Sequence, residues 1–236
     1  SADPQIQALL KTINEQIPAH SVIFDISTDE SVTDASEQHT DIAYRDLLRE
    51  LGYPQDHELA ELEIELEAED QLEEFKKAYA EEYDDTWDDR KDMPASARNR
   101  ASAIRHKMDP DTYPSPDTWA KTPLNVTVTA KLVAQRAYEL SRRRAAGRAL
   151  VFVIDEVGQY VARSTHKMLD LMGLVHALGI EGKNRANDWK GQVWLVVTSQ
   201  EKLNEVVDNL EGKTVELAKI IDRFPMQVDL AQADIR

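Results

Sequence analysis

The chain has 236 residues, with 44 acidic against 28 basic side chains, a net charge of −16 and no cysteine, which excludes a disulfide scaffold, a cysteine-ligated zinc site and a thiol nucleophile. Hydrophobic residues make up 42% and charged residues 31%; this is enough apolar material for a core, yet no run approaches the roughly 18–20 apolar residues of a membrane span. No basic segment followed by an apolar one opens the sequence, so it reads as a soluble cytoplasmic protein without a signal peptide.

Residues 5–17 carry the pattern of an amphipathic helix, and Pro18 precedes a short apolar run at 21–26 bounded like a buried strand. The charge then becomes lopsided. Residues 25–92 hold 25 acidic and 6 basic side chains, so this one segment carries all of the net negative charge. Within it, Thr40 or Asp41 can cap a helix whose apolar face is Ile42, Tyr44, Leu47, Leu48 and Leu51, with Gly52 and Pro54 as the stop. Leu62, Leu66, Leu72, Phe75, Tyr79 and Tyr83 then form a helical stripe across 57–83; the alternation Leu62, Ile64, Leu66 also fits a strand, but the stretch is rich in Glu, Ala and Leu and free of Gly and Pro, which favours helix. A further helix is predicted over 95–108, after which Pro110, Pro114, Pro116 and Pro123 mark a loop that excludes helix.

Beyond the prolines, residues 126–146 have a helical pattern closed by Arg142, Arg143, Arg144 and Gly147. Two continuous apolar runs follow, 149–154 and 193–197, each the signature of a strand in a parallel sheet covered on both faces. A helix predicted over 166–178, with Gly179 behind it, links them as a strand, helix, strand crossover. A last helical region at 201–221 leads to a final predicted strand at 226–230. The expected architecture is therefore α/β, with a parallel-sheet core in two pieces, 1–27 and 125–236, and a helical acidic insertion at 28–124.

The first strand ends in Asp155 and Glu156, which places two adjacent carboxylates at the carboxyl edge of a parallel sheet, where open α/β folds bind ligands. In nucleotide hydrolysis Asp155 would hold the Mg²⁺ shell through water, and Glu156 would orient or deprotonate the attacking water. A strand that simply runs through acidic residues into a loop gives the same pattern. The second strand ends in Thr198, Ser199 and Gln200, so Thr198 or Ser199 would lie beside the carboxylates if the strands are neighbours, although such residues also cap helices. Arg223, in IIDRFP at 220–225, stands where an arginine can reach a γ-phosphate across a subunit boundary; a salt bridge with Asp222 is the structural alternative.

In this order and spacing the residues resemble the second half of a P-loop NTPase of the additional-strand group that includes AAA+ proteins. VIDEVGQY at 153–160, the strand at 194–200 and KIIDRFP at 219–225 look more closely like the P-loop protein of bacteriophage-exclusion (BREX) systems, of the BrxC/PglY type. The resemblance covers mainly 126–236 and, more loosely, 5–26. It implies ATP and Mg²⁺ as cofactors and Asp155, Glu156 and Thr198 as the cofactor-binding residues, with Asp155 on the metal. It also implies Thr198 or Ser199 as sensor 1, Arg223 as an arginine finger, and other BREX proteins and further copies of the chain as partners in phage defence.

A phosphate loop, G-x-x-x-x-G-K-[ST], has no match. At Gly212-Lys213-Thr214, Val207 replaces the first glycine, Asp208 and Glu211 occupy the anion nest, and the segment follows the carboxylate strand instead of preceding it. The chain is therefore expected to begin after the phosphate loop and to be silent alone. The six histidines show no H-E-x-x-H pattern and no G-x-S-x-G elbow occurs. Arg142, Arg143, Arg144 and Arg148 suit the end of a helix better than DNA, from which the net charge would repel the protein, so any DNA contact is expected to be indirect. A rival reading is a non-catalytic scaffold with a degenerate P-loop fold, whose acidic insertion docks a protein partner.

Overall fold

The computed structural model describes residues 4–16, 18–25, 39–122, 124, 126–155, 157, 165–185 and 193–199, together with Phe224, Met226 and Val228. Among these the chain is mixed α/β. It divides into two compact units, one of Ser1–Ala43 with Thr129–Arg236 and the other of Tyr44–Val128.

The first unit contains α1 (Pro4–Gln16), β1 (Ala19–Asp25), the first turn of α2 (His39–Glu50), α8 (Ala130–Arg144), β2 (Ala149–Asp155), α9 (Thr165–Asn184) and β3 (Val193–Val197). The strands form one parallel sheet in the order β1-β2-β3. Val22 with Leu150, Phe152 and Ile154 lines one face and is fully buried. Right-handed connections that advance in one direction place their helices on the same face; α8 and α9 pack together, and Val133, Ala137 and Leu140 of one and Leu171, Leu174 and Leu178 of the other are buried. Ile23, Trp194 and Val196 belong to the other face and are 59%, 47% and 44% exposed. At the start of α2, Asp170 of α9 accepts hydrogen bonds from the Thr40 amide (3.1 Å) and the Thr40 hydroxyl, satisfying donors that a helix N-terminus leaves open.

The second unit holds the rest of α2, then α3 (His57–Ala68), α4 (Leu72–Tyr83), α5 (Trp87–Arg90), α6 (Pro94–Met108) and α7 (Thr118–Lys121). Asp56 caps α3, accepting from the amides of Glu58 and Leu59 at 3.1 and 3.0 Å. Leu62, Leu66, Phe75, Tyr79, Trp87, Ala101 and Ile104 form the centre of one core, with Trp87 edge-on to Phe75 at 5.1 Å. Two charges lie within it. Glu63 is fully buried, accepts a 2.9 Å hydrogen bond from the Trp87 indole N–H and sits 3.9 Å from Lys91 Nζ. Arg105 donates to Glu65 and to the Tyr113 hydroxyl, both at 3.0 Å. Buried charges persist when paired and hydrogen-bonded in this way. Near the surface Asp85 is clamped by Arg90 and Arg100; the hydrogen bond from Arg90 is the main cause that holds its carboxyl below the ordinary carboxylate range.

Several elements differ from the sequence expectation. The stripe at 57–83 is not one helix: it breaks between α3 and α4, where Asp70 takes a left-handed conformation with φ 57°. Aspartate tolerates that region better than most side chains, so the break needs neither Gly nor Pro. The proline segment is not wholly free of helix, since the four-residue α7 fits between Pro116 and Pro123. Gly179 is no stop either, because α9 runs on to Asn184. Most of 201–236, including the helix expected at 201–221 and the strand expected at 226–230, lies outside the described residues; Met226 and Val228 themselves are exposed and not in a strand.

Candidate carboxylate and hydroxyl rim

The candidate site is set by strand register. β2 pairs in parallel with β1 on one side and β3 on the other, with Ile154 opposite Phe24 and Val197. The next row up is Asp155, which faces Asp25 across the first ladder. The second ladder continues beyond β3, because the Thr198 amide donates to the Ile154 carbonyl at 3.0 Å and the Val157 amide donates to the Thr198 carbonyl at 3.0 Å. Thr198 is therefore held beside Asp155 at the carboxyl end of the sheet, and its hydroxyl donates to Asp155 Oδ1.

Local sequence explains the placement. The alternating burial of β2 puts Leu150, Phe152 and Ile154 into the core and leaves Val151, Val153 and Asp155 on the opposite side. Ile23 and Val196 are the register partners of Val153, so Asp155 and Thr198, two residues further along β2 and the chain of β3, continue the face that carries Ile23 and Val196. Asp155 and Thr198 are both exposed and thus open to a ligand from solvent. Ser199 follows Thr198 outside regular structure and is half-buried. Of the residues expected to act together, Asp155 and Thr198 are in contact at one rim, and Ser199 is the next residue along the chain from Thr198. Glu156 and Arg223 lie outside the described residues.

Asp25 is the rim position that sequence reasoning missed. Its signal was present, an apolar strand that ends in a carboxylate, but only the pairing of β1 with β2 makes it a neighbour of Asp155. Among the described residues no group of three or more His, Cys, Asp or Glu side chains can hold a metal ion. Oxygen donors such as the Asp155 carboxylate and the Thr198 hydroxyl suit a hard cation, and Mg²⁺ characteristically takes one or two carboxylates with the remaining positions filled by water and phosphate oxygens. At the end of α8, Arg143 donates to Glu139 at 2.7 Å.

No helix among the described residues is long and apolar enough to cross a membrane. No protein-family model matches the chain, and no solved structure matches it.

Proposed function

We propose that this chain is the carboxylate and sensor portion of a P-loop ATPase that serves a bacteriophage-exclusion system of the BREX type. The observation that supports the reading is the rim itself, an exposed aspartate and an exposed threonine in hydrogen-bonded contact at the carboxyl ends of adjacent parallel strands. Ligands of open α/β sheets bind at that edge. In this reading Asp155 anchors the hydrated cation, Thr198 orients Asp155 and senses the terminal phosphate, and Glu156 positions and deprotonates the attacking water. Bound Mg²⁺ would supply charge neutralisation across the phosphate oxygens. Arg223 would act from a neighbouring copy, where its fixed charge stabilises the transferring group.

The test is ATP hydrolysis by the gene product that includes this chain, compared with its Glu156→Gln variant. Loss of turnover by a factor of about 100 or more is expected if Glu156 is the general base. The isolated chain should show no hydrolysis above background. A rate in the isolated chain that Glu156→Gln abolishes would contradict the missing phosphate loop, and an unchanged rate in the gene product would remove Glu156 from the chemistry.

A second reading, a non-catalytic scaffold whose acidic insertion binds a protein partner, is favoured by the unit Tyr44–Val128, which closes a core of its own beneath a strongly acidic surface. The two readings separate on the same assay, because a scaffold has no turnover for Glu156→Gln to remove.

A further inference from the structure

We draw no further inference here: the strongest candidate, the uncovered apolar face of the three-stranded sheet that carries Ile23, Trp194 and Val196, carries nothing because nothing in the structure shows what covers it.

Discussion

In the helical unit, Phe75, Tyr79 and Trp87 come from two helices, α4 and α5, and are all buried, whereas in the sheet unit Ile23, Trp194 and Val196 come from two strands and remain about half exposed. The difference follows from connectivity. Successive helices joined by short turns fold back on one another and enclose their apolar stripes locally. A parallel sheet has two faces, and right-handed connections that all advance in one direction place their helices on the same one. The helical unit therefore satisfies its apolar side chains from within, while the sheet unit concentrates its polar chemistry on a rim and leaves an apolar face beside it.

Substitutions can break this comparison. The largest effect is expected in the closed core: Phe75→Ala should lower the free energy of unfolding by about 3–5 kcal/mol, the range for truncating a fully buried aromatic side chain, read by denaturant titration of tryptophan fluorescence. A loss under 1 kcal/mol, on the order of a surface change, would mean that the helical unit is not closed as described.

The intermediate effect tests how α8 and α9 meet. A Cβ added at Gly182 would run into the hydroxyl of Tyr138, whose Cζ would lie 3.5 Å away. Tyr138 is itself buried and donates to the Leu178 carbonyl at 3.4 Å, so it has little freedom to retreat. Gly182→Ala should therefore cost about 1–3 kcal/mol by overpacking, and Tyr138→Phe in the same chain should recover part of it. Strict additivity of the two changes would contradict the close approach.

The smallest effect belongs to the uncovered face. Ile23→Thr keeps the β-branched shape and replaces a side chain that is 59% exposed, so stability should change by no more than about 0.5 kcal/mol. A loss comparable to that of Phe75→Ala would show that the face is covered in solution, and the contrast between the units would disappear.

The strands themselves were legible in the sequence because their signal is local: the uninterrupted apolar runs at 149–154 and 193–197 became β2 and β3, but they were expected to be covered on both faces, and Trp194 and Val196 are about half exposed. What was illegible depends on distant partners. The position of Asp25 beside Asp155 emerges only from register. Gly179 looked like a helix end, yet α9 continues through it to Asn184, and at Gly182 the absence of a side chain is what admits Tyr138. The turn at Asp70 was hidden because an aspartate there, without Gly or Pro, looks like one more acidic residue on a helix. Conversely, Gly52 and Gly147 marked real helix ends, and both adopt positive φ, 74° and 76°.

The most direct measurement of the central claim is ATP turnover by the gene product that includes this chain, with Asp155→Asn and Thr198→Ala made singly and together. If the two side chains act as one constellation, Asp155→Asn should reduce turnover by about 100-fold or more and the double variant should be little worse than Asp155→Asn alone, since residues that act as a unit are strongly non-additive. Rates unchanged by either substitution, or losses that simply multiply, would contradict a shared nucleotide site at the rim.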